Sequence, residues 1–142
     1  MYIKEKIARK LQYMKKNVDF LRSYQNVSVR ELEENDLIKS AIERKFHLAI
    51  EAALDIGEIL ISEENFEKPE DYKSVFLILG KNNVIPKEFA ENFAPIAGFR
   101  NVLVHLYEDV DIKILQRYLN EKLADLDIFA QFIAKYLATK EY

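Results

Sequence analysis

Apolar side chains recur every three or four positions along most of this chain, and that period predicts helices throughout. Over residues 2–25, Ile3, Ile7, Leu11, Met14, Val18 and Leu21 form one stripe, with charged residues filling the other faces. Ser28 followed by Glu31 has the spacing of a capping box and predicts a short helical turn. From Asp36 to about Ser62 the stripe Ile38, Ile42, Phe46, Ile50, Ala53 or Leu54, Gly57 and Leu60 runs on without a proline, predicting a helix about 40 Å long. Ala49, Ala53 and Gly57 put small side chains on one face of it, where another helix can approach closely.

The punctuation is sparse. Glu63 to Asp71 is acidic, contains Pro69 and reads as a loop. Asp71 is placed to cap a third helix through Val75, Phe76, Leu77 and Leu79, with Gly80 in the usual C-terminal position. Pro86 opens a fourth helix as a first-turn proline. That helix meets Ala94-Pro95-Ile96-Ala97-Gly98, where it must kink or give way to another. Asp109 or Asp111 caps one last helix to about Thr139, with Ile114 or Leu115, Tyr118 or Leu119, Leu123, Leu126, Phe129 or Ala130, Ile133 and Leu137 inward. Phe89, Phe93 and Phe99 read as core. The pattern predicts an all-α antiparallel helical bundle in a single domain spanning residues 1–142.

Composition agrees with this and removes several kinds of chemistry. The 142 residues include three glycines and three prolines, too few for the turns of a sandwich or barrel. The absence of cysteine excludes disulfides, thiolate metal sites and a cysteine nucleophile, and two histidines argue against structural zinc. No metal or cofactor is expected. No stretch is apolar enough for a signal core or a membrane span, so a cytoplasmic location is the default expectation. The net charge of −3 argues against coating nucleic acid by bulk charge. It is unevenly spread, however. Lys4, Lys6, Arg9, Lys10, Lys15, Lys16 and Arg22 give the first helix an excess of about five positive charges. That face is either solvated or a surface that attracts phosphates.

One segment carries chemistry: Gly98-Phe99-Arg100-Asn101-Val102-Leu103-Val104-His105-Leu106-Tyr107. On a regular helix Arg100 and Tyr107 fall within about 20° of each other, and Asn101 and His105 share an adjacent strip. Arg100 and His105 differ by about 140° and can converge only near a helix end or across an interface. Arginine offers a permanent planar cation suited to phosphate oxygens, and histidine both gives and takes a proton near neutral pH. Together they suit phosphoryl-transfer chemistry without a metal. The plain structural alternative pairs Arg100 with a carboxylate and leaves His105 to complement a helix C-terminus. His47, one turn from both Glu43 and Glu51, reads as a salt-bridged structural residue.

The segment resembles the Arg-x4-His-x-Tyr signature of the HEPN superfamily, and the chain is similar within it to the HepT-like ribonuclease toxins. The likeness extends through Ile42–Gly57, Asp71–Leu79 and Gly98–Asp111, so it covers the chain from about residue 35 onward. The resemblance implies a four- or five-helix HEPN bundle that forms a homodimer with two motifs facing each other. It implies a metal-independent endoribonuclease in which Arg100 binds the scissile phosphate, His105 acts as base or acid, and Asn101 orients the phosphate or His105. It also implies a partner, an MntA-like nucleotidyltransferase antitoxin that transfers AMP to Tyr107. The alternative implied by the same likeness is a non-catalytic module that presents RNA or nucleotide to such a partner.

Overall fold

Local signals set most helix ends. In the computed structural model, which describes residues 2–104 and 110–142, α1 spans Tyr2–Arg22 and a short α2 spans Val29–Glu34. Ser28 caps α2 by accepting from the Glu31 amide at 3.0 Å. Asn35 then caps α3 (Asp36–Glu63) through the Ile38 amide. Asp71 caps α4 (Tyr72–Lys81) through the Ser74 amide at 2.8 Å. The Ser74 amide and hydroxyl bonds hold the Asp71 carboxyl below its ordinary range. Pro86 sits at the N-cap of α5 (Lys87–Phe93), and Pro95 at that of α6 (Ile96–Leu103), so two helices abut there.

One expectation about a helix end is corrected. Gly80 does not terminate α4: it lies inside the helix, which continues to Lys81. The left-handed residue is Asn83, at φ 61°. Its amide bonds to the Gly80 carbonyl and that of Val84 to the Leu79 carbonyl, the Schellman pattern. Asn65, at φ 55°, closes α3 in the same way, with Phe66 bonded to Ile61. Gly80 is needed for a close approach: a Cβ there would stand 2.5 Å from the Ala90 Cβ of α5. Gly57 has the matching role between α3 and α4, where an added Cβ would lie 2.5 Å from Val75 Cγ1.

The predicted last helix is two helices, α7 (Ile112–Glu121) and α8 (Leu123–Ala138). No proline or glycine marks the break. Instead the Gln25 side-chain amide donates to the Leu119 carbonyl at 3.0 Å, and Gln116 donates to the Val27 carbonyl at 3.0 Å. These bonds tie α7 to the segment after α1 and let it lie on α2 rather than run straight on from α8. Asp111 supplies the α7 cap; Asp109 lies outside the described residues.

α3 is the central element, packing against α1, α2, α4, α6 and α8. α1 runs antiparallel to it, because Lys10 meets Asp55 while Phe20 lies under Lys45. The predicted inward stripes are the buried ones: Ile7, Met14, Val18 and Leu21 on α1, and Ile42, Phe46, Ile50, Gly57 and Leu60 on α3. Among the described residues there is no strand, and no helix is long and apolar enough to cross a membrane. The molecule is an all-helical bundle, as the period predicts.

Candidate functional site

α6 carries the first half of the motif, and its neighbour in sequence fixes how. Phe99 is buried, edge-on to Phe46 of α3 at 5.4 Å and stacked on Tyr118 of α7 at 3.8 Å between centroids. Burial raises the Tyr118 phenol above its ordinary value, against a smaller opposing effect of Arg117. With Phe99 wedged between two elements, the next residue has little freedom in where it points. Arg100 therefore leaves α6 on the side of α3.

Its guanidinium reaches Glu51, with Nε donating to Oε1 and Nη2 in an ion pair with the same oxygen. Nη1 donates to the Asn101 Oδ1 at 3.3 Å. The Tyr72 ring, at the start of α4, lies 4.8 Å from the guanidinium carbon and covers one face of it. The arginine side chain is 19% exposed, which places a permanent charge where water screens it only partly. Glu51 has a second partner: His47 Nε2 lies 3.3 Å from the same Oε1. On the far side of that ring, Arg44 Nη1 stands 3.3 Å from Nδ1. Arginine can only donate, so Nδ1 accepts and the ring proton faces Glu51.

Three helices, α3, α4 and α6, thus meet at one cation. The carboxylates continue along α3 as Asp55, paired with Lys10 of α1 at 3.1 Å, and Glu58. Burial pushes the Glu58 carboxyl up, and the charges of Asp55 and Glu51 push it further. Elsewhere on α1, Lys15 and Arg22 pair with Asp19, and Arg22 with Asp127 of α8.

Of the residues singled out in the sequence, the structure brings Arg100 and Asn101 together. His105 and Tyr107 lie outside the described residues, beyond Val104, which caps α6. Glu51 and Tyr72 are the members that the motif alone does not supply. Glu51 lies 49 residues from Arg100 in sequence. Its local signal is a carboxylate and a histidine one turn apart on the central helix.

Comparison with known proteins places the chain in a family. Residues 14–133 match the family described as Ribonuclease HepT-like, so the chain belongs to that family, within the HEPN superfamily. The tRNA nuclease HepT of Aphanizomenon flos-aquae is 28% identical over 135 residues, 95% of this chain and 92% of the relative. The fold superposes on a toxin–antitoxin crystal structure containing AMP-PNP with a TM-score of 0.83, at 20% identity, covering 91% of this chain and 97% of that one. It also superposes on the tri-AMPylated Shewanella oneidensis HEPN toxin solved with its MNT antitoxin, at a TM-score of 0.81 and 19% identity, covering 91% and 96%.

Proposed function

We propose that this chain is a metal-independent endoribonuclease, the toxin of a toxin–antitoxin pair, working as a homodimer in which two copies of the Arg100-x4-His105-x-Tyr107 motif face one another. One observation carries the reading: in a HepT-like chain, the motif arginine is a partly buried, oriented cation beside Asn101 rather than a solvated surface charge. RNA is the substrate that such a pair of groups handles. The 2′-hydroxyl of the RNA loses its proton to His105 of one copy and its oxygen attacks the adjacent phosphorus. The bond to the 5′-oxygen breaks, and His105 of the other copy gives that oxygen a proton. Arg100 neutralises the non-bridging oxygens as charge builds on them, Asn101 orients the phosphate, and a cyclic phosphate end remains. A dimer resolves the angular separation of Arg100 and His105, because the groups that act together need not come from one chain.

The purified chain is expected to cut RNA equally well with and without a chelator, leaving cyclic phosphate ends. Cleavage that stops on chelation would overturn metal independence. Tight RNA binding without any cleavage would favour the non-catalytic module.

Neutralisation follows from the same site. The partner is an MntA-like nucleotidyltransferase antitoxin, and Tyr107 is the hydroxyl to which it transfers AMP. The Shewanella relative, AMPylated and bound to its antitoxin, supports this reading. Added phosphate would compete with RNA for Arg100. Incubation with the partner and ATP is expected to raise the intact mass by whole AMP groups and to silence the nuclease. Tyr107→Phe should show neither change; a mass gain that survives the substitution sinks the assignment.

A further inference from the structure

The geometry around Arg100 points to a clamp made outside the motif: we propose that Glu51 of α3 and Tyr72 of α4 are positioning residues that hold the Arg100 guanidinium by one edge and one face. The proposal rests on the nuclease reading above. A guanidinium has two edges with paired donors, Nε with Nη2 and Nη1 with Nη2. Glu51 engages the first: Nε donates to Oε1, and Nη2 forms an ion pair with the same oxygen. Tyr72 lies over the plane at 4.8 Å. Together they fix the position of the group; Nη1 donates to Asn101, and each terminal nitrogen keeps one further N–H for the Nη1/Nη2 edge. That terminal edge is a two-pronged donor suited to two oxygens of one phosphate. His47 serves behind Glu51, keeping its Oε1 in place through a contact of 3.3 Å.

Simple electrostatics makes the opposite prediction, which gives the proposal a sharp test. Glu51 is an anion next to a site for an anionic substrate. By charge alone its removal would tighten RNA binding and favour turnover. A positioning role requires the rate to fall even where binding does not weaken, because a displaced cation no longer meets the charge that develops in the transition state.

The experiment measures single-turnover cleavage and affinity for uncleavable 2′-O-methyl RNA, using the full chain. Glu51→Ala is expected to slow cleavage on the order of 10- to 100-fold with RNA affinity unchanged or higher. Glu51→Gln keeps an acceptor oxygen at the same reach and should recover most of the rate. Tyr72→Phe keeps the ring and should resemble wild type, while Tyr72→Leu should slow cleavage several-fold. In an Arg100→Ala background, Glu51→Ala should slow cleavage no further, since the clamp acts only through Arg100.

A readout without RNA separates this proposal from the nuclease reading. The Arg100 Nε–H resonance in 15N NMR should be sharp and protected in wild type and Glu51→Gln, and lost in Glu51→Ala with the fold intact. Wild-type or faster cleavage by Glu51→Ala would overturn the clamp, as would an equal loss in the Arg100→Ala background. A protected Nε–H signal in a chain that never cuts RNA would instead leave the clamp standing and remove the nuclease.

Discussion

Arg100→Ala and His105→Ala are each expected to reduce RNA cleavage by the purified chain about 10²- to 10³-fold, the usual worth of one charge-stabilising donor or one general acid–base group. The two losses have different causes. Arg100 is not a surface lysine substitute: it is 19% exposed, tied to Glu51 and Asn101, and covered by Tyr72. Its alanine variant removes the cation and also leaves the Glu51 carboxylate without its counter-charge. Thermal stability should therefore drop as well. Arg100→Lys is expected to restore charge and part of the stability without most of the activity, since an ammonium cannot span the Glu51 oxygen and a phosphate with one fixed fork. His105→Ala removes the group proposed to move the proton, and its loss is expected in the rate. Induction of either variant should also fail to arrest growth where the wild-type chain does. Arrest that persists in both would move the function from catalysis to binding.

The second large effect is on the fold. Phe76→Ala is expected to destabilise the chain by about 3–5 kcal/mol, read as a lower denaturant midpoint at unchanged slope. Phe76 is fully buried and packs edge-on against Phe93 of α5 at 4.7 Å and Phe129 of α8 at 5.6 Å. Phe93 and Phe129 in turn stack at 5.0 Å. One ring therefore joins α4, α5 and α8, and its removal opens a cavity that three separate helices would have to move to fill. Phe76→Leu keeps most of the volume and should lose clearly less. A destabilisation below about 1.5 kcal/mol for the alanine variant would mean that the three helices collapse onto the gap, contrary to the packing described.

The sequence alone determined the helices that a local code specifies. The apolar period of α1 and α3 is long and uninterrupted, and the side chains it turns inward are the buried ones. Ser28, Asp71 and Asp111 announce their helices because a cap is an interaction between residues two or three positions apart. Arg100 and Asn101 were legible as two polar residues near the end of an apolar helix, while His105 and Tyr107 lie outside the described residues.

What the tertiary structure decided are the features that depend on distant residues. Gly80 looks like a helix terminus in one dimension and is a helix-to-helix contact in three, with Asn83 taking the turn. The break between α7 and α8 has no local signal, because Gln25, 94 positions away in sequence, supplies the hydrogen bond at Leu119 that accompanies it. Glu51 and Tyr72 acquire a role only once α3, α4 and α6 converge on one guanidinium. A sequence motif can name the cation, but the carboxylate that aims it is chosen by which helix packs beside it.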